Sequence, residues 1–479
     1  MQKEKIVNSR QFCLFIILSV AVYANSVVQD TIVKIHASLS IPNYQYPWQT
    51  SGRLQVYGSG VIINDNYIIT NAHVVSDAKY IQVSKDKASK KYVAKVKHIS
   101  HQADLALLEV EDISFFKDTT PLQFTTEIKT GDNITVLGYP VGGDSLSTTK
   151  GTTSRIELHS YVWSYEWMLT IQVDAAINSG NSGGAALNDK GEIVGIVMQS
   201  FSKKDADNIG YIIPSHIVNV FLEDIKDGIV DGLEDTTMFY QSFVNESLKN
   251  YYNVNSENGV LLTTINDIDG ALKEGDILLE IEDKKIFNDG TIQTKYGTLP
   301  VRYLFHTKPV GEKLKVKLLR EGKEITTYYT LKRKDEPIKY EYDKEPRYII
   351  FGGLSFTPMT SNYLIKHNQR SAMFNIYFEQ NKEASDVKEA VAVQSEKFNH
   401  AINEGYNPFL YLVKSVNGTK VIDFKHFVKL LDENKEKYTV IEFWDVNSKF
   451  VFDTKKERES FEEIKNIYGL TTDRKVENL

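Results

Sequence analysis

Short hydrophobic runs separated by Gly, Asn and Asp dominate the chain from about residue 27 to residue 222. Examples are the segments GSGVIINDNYIITNAHVV, KYIQVS, YVAKVKHIS, ADLALLEV, NITVLGYP, MLTIQVDAA and GEIVGIVMQS. Many short strands with turn residues between them are typical of a β-sandwich or a β-barrel. The first helix-length pattern covers Pro214 to Ile229, where apolar residues recur at helical spacing. We therefore expect a mainly β domain, closed by a helix, over residues 25–228.

Two further regions follow this β-rich segment. Residues 229–335 contain the runs GVLLTTI and LKEGDILLEI and a strand pair around the turn at Glu321-Gly322, which predicts a small α+β domain. The charged stretch KRKDEPIKYEYDKEP predicts a linker. Residues 346–479 combine the strand-like segment RYIIFGGLSFTP with a helical pattern over about Lys388 to Ile402. A chain of 479 residues is long enough for three such domains.

The N-terminal segment has the features of a secretory signal. Basic residues precede an apolar run from Phe12 to Val22, which is too short to span a bilayer. Val22-Tyr23-Ala24 then offers small residues at the positions that a signal peptidase recognises. We expect residues 1–24 to be removed and the mature chain to be exported, to a periplasm, without a stable membrane span. An uncleaved membrane anchor is the alternative.

Composition and charge exclude several classes of protein. The formal net charge is −7, and the signal segment is basic, so the mature chain is a poor candidate for nucleic-acid binding. The single cysteine, Cys13, lies in the signal segment, which leaves no disulfide and no Cys-based metal site. No GxxxxGK nucleotide loop and no convincing metal-ligand cluster occur, and His98 and His101 are expected at the surface. We therefore expect neither a cofactor nor a metal.

Ser182 stands in a Gly-rich turn, NSGNSGG, between two predicted strands. Glycines beside a serine allow a tight turn that exposes the serine Oγ. Such a turn also directs the amides of Gly180 and Ser182, with Asn181 between them, toward one point. That is the construction of an oxyanion hole. Taken alone, the same turn also fits an ordinary polar hairpin loop.

A serine nucleophile needs a base within hydrogen-bond reach. His73, in TNAHVV, ends the predicted strand Tyr67 to Ile69, where its ring can project from a rigid wall. Asp104 precedes the apolar run LALL and could orient that base. A histidine at a strand end and an aspartate at a strand start are each more often structural. Here, however, the order His, Asp, Ser occurs within one β-rich segment, as in the chymotrypsin double barrel and unlike subtilisin or α/β-hydrolases.

The motifs TNAHVV, ADLALLEV and NSGNSGG resemble the three catalytic motifs of the Deg/HtrA proteases, and the likeness extends through YPVGG and NIGYIIP. The order of the later regions, with GGLSFTP and YGLTTDR, resembles the plant-type Deg branch, in which two PDZ-like modules follow the protease domain. The resemblance implies a mainly β chain with a chymotrypsin-like double β-barrel over 25–228. It also implies two α+β PDZ-like domains, over 229–335 and, in diverged form, over 346–479.

The resemblance also implies roles for individual residues. Ser182 would be the nucleophile, His73 the general base and then acid, and Asp104 the residue that orients it. The oxyanion hole would be formed by the amides of Gly180 and Ser182. Ala185 stands where many relatives have proline, and we expect little effect because this position points away from the chemistry.

The primary substrate pocket in this fold is built from residues before the serine and from a later strand. The candidates are Ile177, Met198, Gln199 and Ser200. Because none of them is charged, the pocket is expected to favour small or medium aliphatic side chains over Lys or Arg.

The later regions bear on partners. PDZ domains bind an extended peptide at a sheet edge and receive its terminal carboxylate in a loop of backbone amides. The segment MFYQSFVNE stands where such a Gly-containing loop is expected, so peptide capture and an assembly role both remain open. Deg/HtrA proteases build on trimers, which implies a homotrimer or a multiple of trimers. The aromatic segment Pro42 to Trp48 is a candidate trimer contact, because exposed aromatic residues need a partner.

The function that the resemblance implies is that of an ATP-independent serine endopeptidase for quality control. It would cleave unfolded or damaged exported polypeptides through an acyl-enzyme. One alternative is a non-catalytic chaperone or scaffold on the same fold, which the intact motifs disfavour. Another is a small-molecule esterase, which the two appended modules disfavour.

Overall fold

The structure, a computed structural model, describes residues 30–143, 145–161, 163–198, 209–234, 238–254, 256–265, 270–333, 335–369 and 371–477. The predicted signal segment, residues 1–24, lies outside these residues. The described residues form two compact units, one within 1–39 and 55–334 and the other within 40–54 and 335–479. None of the helices in the described ranges is long and apolar enough to cross a membrane.

Six strands close into a first barrel. They are β1 (Ile32–Pro42), β2 (Thr50–Ile63), β3 (Tyr67–Thr70), β4 (Ala78–Ser84), β5 (Tyr92–Ser100) and β6 (Leu105–Val110). Their bonding order is β1-β2-β3-β6-β5-β4. Along β1 the side chains of Val33, Ile35 and Ala37 point inward and the residues between them are partly exposed, as the two-residue period of a strand requires. A one-turn helix, α1 (Ala72–Val75), follows β3, and 3-10 helices cover Asn64–Asn66 and Ile113–Phe116.

A second six-stranded barrel follows directly. Its strands are β7 (Asn133–Gly138), β8 (Ser147–Ser160), β9 (Trp167–Val173), β10 (Ala185–Leu187), β11 (Ile193–Val197) and β12 (Gly210–Pro214). They are bonded in the order β10-β11-β12-β9-β8-β7. The predicted closing helix is confirmed as α2 (Ser215–Asp224), with a 3-10 turn at Ile225–Asp227, and its residues Ile217, Val218 and Phe221 enter the barrel core. The two barrels confirm the predicted double-barrel fold.

The second region builds an antiparallel sheet whose apolar core is continuous with that of the second barrel. Its elements are β13 (Met238–Ser242), α3 (Glu246–Tyr251), β14 (Val260–Ile265), β15 (Ile277–Ile281), β16 (Lys284–Lys285), β17 (Thr291–Thr294), β18 (Gly297–Pro300), a 3-10 helix at Val301–His306, β19 (Lys313–Arg320) and β20 (Lys323–Thr330). The sheet order is β13-β14-β15-β19-β20, with β16 paired to β15 and β17-β18 as a separate hairpin. The predicted turn at Glu321-Gly322 is confirmed, and both residues have positive φ, as a tight hairpin requires.

The second unit contains two four-stranded sheets with orders β23-β22-β21-β28 and β25-β24-β26-β27. Its elements are β21 (Tyr348–Phe351), β22 (Leu354–Pro358), α4 (Ser361–Lys366), α5 (Ser371–Gln380), β23 (Val391–Lys397), β24 (Val413–Val416), β25 (Thr419–Lys420), α6 (Phe424–Glu433), β26 (Tyr438–Phe443), β27 (Lys449–Asp453), α7 (Thr454–Tyr468) and β28 (Arg474–Lys475). Short 3-10 helices cover Lys382–Ala384 and Ala401–Asn403. The helix predicted over Lys388 to Ile402 is wrong, because β23 occupies its centre. Val391 and Val393 enter the core at the period of a strand.

The aromatic segment Pro42 to Trp48, predicted as an exposed trimer contact, is packed within the second unit. Trp48 lies against Tyr348 and Phe398, with ring centroids 6.0 and 4.9 Å away. The Tyr44 hydroxyl donates a hydrogen bond to the carbonyl of Glu341 at 2.8 Å. These aromatic residues already have partners in their own chain. The reason for predicting a trimer contact at this segment, that exposed rings need a neighbouring subunit, therefore does not hold.

Candidate active site

His73 and Asp104 form a closely paired imidazole and carboxylate in the first barrel. The Nδ1 atom of His73 lies 2.8 Å from one carboxylate oxygen of Asp104, and the backbone amide of His73 donates to the other oxygen at 2.9 Å. Asp104 is fully buried, whereas the His73 side chain keeps 18% exposure. This arrangement fixes the Nδ1 edge of the ring on the carboxylate and leaves Nε2 to act on a substrate-side group.

Local backbone structure explains why the two side chains meet. His73 lies in α1 and not at the strand end that the sequence suggested, and this helical turn directs its amide toward Asp104. Asp104 has a φ of +53°, a conformation that asparagine and aspartate tolerate better than most residues, in the turn just before β6. The Asn71 side chain donates to the Asp104 carbonyl at 3.0 Å and so ties the two turns together.

Burial and charge act in opposite directions on His73. Burial lowers the pKa of the imidazole, because it penalises the charged form. The attraction of Asp104 and the hydrogen bond to it raise the pKa by more, so the pKa of His73 ends above its ordinary value of 6.5. The surroundings of His73 therefore stabilise its protonated form, the imidazolium, which forms when the ring accepts a proton.

Ser182 lies in the turn between β9 and β10, on the second barrel, and is itself buried. The turn is closed by the amide of Asn181 on the Asn178 carbonyl at 3.0 Å and by the amide of Gly183 on the Val197 carbonyl at 2.9 Å. Within the described residues, the amides of Gly180 and Ser182 donate to no carbonyl. Two unengaged amides in one turn are the donors that an oxyanion hole requires.

Gly180 and Gly183 are required by the shape of this turn. Their φ values are +97° and +85°, a region that residues with side chains rarely adopt. A Cβ atom at Gly180 would lie 2.4 Å from the Tyr139 carbonyl oxygen, and one at Gly183 would lie 2.1 Å from the Ser59 carbonyl oxygen. The flanking glycines are therefore needed because a side chain at either position would be strained and would clash with a backbone carbonyl.

Ser59, which sequence reasoning missed, connects the Ser182 turn to both barrels. It lies on β2, fully buried, and its hydroxyl donates to the Gly180 carbonyl at 2.7 Å while accepting from the Tyr139 amide at 2.8 Å. Its own amide donates to the Ser182 carbonyl at 2.8 Å. Thr70 donates in turn to the Ser59 carbonyl at 2.7 Å. A serine inside an ordinary strand run, GSGVII, gives no sequence signal of such a role.

The predicted substrate pocket is described only in part. Ile177 and Met198 are both buried beside the second barrel's core, whereas Gln199 and Ser200 lie outside the described residues. Gly210, at the start of β12, was missed by sequence reasoning. A Cβ atom there would lie 2.4 Å from the Ile177 Cδ1 atom, so glycine at this position gives Ile177 its space.

The histidines expected at the surface are in fact half-buried. The His101 ring lies 6.2 Å, between centroids, from Trp163, which also lies 6.1 Å from the ring of His73. No group of three or more metal-ligating side chains occurs among the residues that the structure describes.

Comparisons with known proteins give the family. Residues 58–196 match the trypsin-like peptidase domain family, and residues 337–475 match the PDZ domain family. The chain is 32% identical to "Protease Do-like 2, chloroplastic" of Arabidopsis thaliana, covering 87% of this chain and 70% of that protein. It is 34% identical to "Putative protease Do-like 3, mitochondrial" of the same plant, covering 84% and 72%. The chain belongs to the Deg/HtrA family of serine proteases.

A solved structure agrees with this assignment at the level of the fold. A variant of the HtrA-type protease AlgW with a decapeptide superposes with a TM-score of 0.50 and 22% sequence identity, covering 65% of this chain and 97% of that one. As a Deg/HtrA protein with a trypsin-like domain, the chain is a serine endopeptidase. The PDZ match falls on the third region, which the sequence pattern had placed further from a PDZ domain than the second.

Proposed function

We propose that this Deg/HtrA protease cleaves peptide bonds with a triad of His73, Asp104 and Ser182. The observation that carries the proposal is the double contact of Asp104 with the amide and Nδ1 of His73, beside a ring that keeps partial exposure. The order of the three residues along the chain and their division between the two barrels support it.

In this mechanism His73 accepts the proton of the Ser182 hydroxyl on Nε2 as Oγ attacks the scissile carbonyl carbon. The oxygen of the resulting tetrahedral intermediate accepts hydrogen bonds from the amides of Gly180 and Ser182. His73 then gives the proton to the leaving amine, and the acyl-enzyme remains on Ser182. Water, deprotonated by the same imidazole, releases the acid product and restores the serine. Asp104 stays ionised throughout and stabilises the imidazolium.

The substrates of the proposed enzyme are unfolded or damaged exported polypeptides. Their hydrolysis needs no ATP, because cleavage of an accessible peptide bond requires no mechanical unfolding. Buried apolar residues at the pocket, Ile177 and Met198, support a preference for aliphatic side chains before the cleaved bond. Cleavage-site profiling that shows a preference for Lys or Arg would overturn this preference.

The domain assignment is part of the same proposal, with the protease over 25–228 and PDZ-like domains over 229–335 and 346–479. Assembly as a homotrimer or a multiple of trimers is expected from the family. Light scattering at micromolar concentration tests it, and a monomer would contradict it. Export to a periplasm remains a prediction that N-terminal sequencing and fractionation of the native protein would test, since the relatives named above are chloroplastic and mitochondrial proteins.

The test of the triad is hydrolysis of an unfolded protein such as β-casein, with Ser182→Ala as the paired variant. Cleavage by the wild type and its loss in the variant would support the proposal. Cleavage that survives in Ser182→Ala would refute Ser182 as the nucleophile. If neither protein cleaves casein but both suppress its aggregation, the chaperone alternative replaces the protease proposal.

A further inference from the structure

One loop of the second barrel, between β8 and β9, lies over the His73–Asp104 pair of the first. Trp163 in this loop has its ring centroid 6.1 Å from that of His73, with 49° between the ring planes. The same indole lies 6.2 Å from the ring of His101, with 33° between planes. The indole therefore lies beside two imidazoles of the first barrel, and one of these, His73, is the proposed base.

The same loop also places an aromatic residue near Asp104. Tyr161 is fully buried, and its hydroxyl donates to the Leu169 carbonyl at 2.9 Å. Burial raises the pKa of Tyr161 well above its ordinary value, and the negative charge of nearby Asp104 raises it further. The charge of Asp104 therefore acts on Tyr161 as well as on His73.

Hydrogen bonds link the described residues at the two ends of the loop. The amide of Tyr161 donates to the Glu166 carbonyl, and the amide of Tyr165 donates to the Tyr161 carbonyl, each at 2.8 Å. The Ser160 hydroxyl donates to the Tyr165 carbonyl at 3.2 Å. A loop bonded to itself in this way can hold an indole at a fixed position against a partner on another barrel.

We propose that Trp163 is a positioning residue for the general base: its indole holds the imidazole plane of His73 against Asp104 and keeps water away from the pair. This inference rests on the proposed role of His73. An imidazole on a one-turn helix has freedom to rotate about its side-chain bonds, and the contact with Asp104 restrains only its Nδ1 edge. An indole ring tilted against the imidazole limits the remaining rotation and takes the place of water that would otherwise compete for the carboxylate.

The test compares Trp163→Ala with Trp163→Phe and a matched control, Trp167→Ala, in the full-length protein. Trp167 stands at the start of β9, more than half exposed, and contacts His159 and not His73. The rate of Ser182 acylation by a fluorophosphonate and kcat/KM for a peptide are measured against pH. The ring of His73 is titrated independently by NMR in protein labelled with carbon-13 histidine, with His73→Ala for assignment.

Trp163→Ala is expected to lower kcat/KM and the acylation rate about tenfold at neutral pH, since small displacements of a reacting group are costly. It should also shift the acidic limb of the profile and the NMR titration of His73 together, because admitted water changes both the burial and the Asp104 attraction that set the pKa of His73. The other ionisable side chains of this region, Asp104, His101 and Tyr161, are the same in all variants. Trp163→Phe should retain most activity, and Trp167→Ala should match the wild type.

Trp163→Ala that matches Trp167→Ala in both the NMR titration and the acylation rate would overturn the inference. So would a Phe variant as impaired as the Ala variant while circular dichroism shows both folded. If even the wild type neither hydrolyses peptide nor reacts with the fluorophosphonate, the proposed function fails, and the NMR titration alone then decides the role of Trp163.

Discussion

The two barrels contribute to the active site in different ways. The first barrel supplies the proposed base and its carboxylate, which contact one another directly through side-chain and backbone hydrogen bonds. The second barrel supplies the proposed nucleophile in a turn whose shape depends on backbone amides and two glycines with positive φ. The His73–Asp104 part of the site is therefore specified by side chains that a sequence motif reveals. The Ser182 part is specified by a backbone conformation that the surrounding residues stabilise.

Activity should be most sensitive to a change of one functional group in the part of the site that the first barrel provides. Asp104→Asn keeps the shape but removes the charge that orients and stabilises His73, and kcat should fall about 10⁴-fold, as for such a substitution in other triads. The measurement is peptide hydrolysis with active-site titration. Asp112→Asn, an exposed carboxylate of the same barrel, is the control. A loss below tenfold would show that the pair contributes little.

The Ser182 turn of the second barrel should depend on Ser59, a residue of the first barrel. Ser59→Ala removes the hydrogen bonds to the Gly180 carbonyl and from the Tyr139 amide, and the nucleophile turn should relax. Because a misplaced donor or nucleophile costs about 10²-fold, we expect kcat to fall by about that factor while KM changes little. Ser84→Ala, a buried serine of the same barrel that does not contact the turn, is the control. Equal activity of the two variants would contradict the assigned role.

The pH dependence of activity should report the His73–Asp104 pair. The pKa of His73 lies above 6.5, so kcat/KM should fall as the pH drops through a value above 6.5, where the imidazole becomes protonated and cannot accept a proton. Asp104→Asn should move this limb to lower pH, because the attraction that raises the pKa is lost. A wild-type limb at or below pH 6.5 would show that burial outweighs the carboxylate.

The smallest expected effect lies in the pocket of the second barrel. Gly210→Ala would press a methyl group against the Ile177 Cδ1 atom, which would have to shift to make room for it. We expect a several-fold loss in kcat/KM for Leu or Ile before the cleaved bond and a smaller loss for Ala, because a methylene in an apolar pocket is worth about 1–3 kcal/mol. Competition between matched peptides measures this ratio. An unchanged ratio would exclude Gly210 from the pocket.

The sequence predicted the residues whose chemistry is rare and missed those whose role is geometric. His73, Asp104 and the Gly-rich turn at Ser182 stand out because few patterns combine a base, an acid and a nucleophile in one order. Ser59 and Gly210 are ordinary in a strand, and their importance comes from partners more than 30 residues away along the chain. Trp163 could not be assigned either, because no local pattern shows which ring a loop will cover.

Secondary structure was predicted well where one period dominates and poorly where two compete. The closing helix α2 shows a single helical period and was predicted correctly. Residues around β23 mix alanine, valine and charged residues in a way that fits both periods. The structure decides for the strand because Val391 and Val393 pack with Phe356 from the neighbouring β22. Tertiary packing, which a window of sequence does not contain, made that choice.

The connection from β1 to β2, together with the adjoining ends of both strands, has a consequence for how the chain can be divided. Residues 40–54 leave the first barrel's unit and belong with residues 335–479, so the backbone passes from one unit to the other three times. The C-terminal unit therefore cannot be removed or exchanged as one continuous segment, because part of it lies near the N-terminus of the chain. A fragment ending near residue 334 would leave Trp48 without Tyr348 and Phe398. Grafting the C-terminal unit onto another protease would require two insertions, and recombination at one point in a gene would not move it intact.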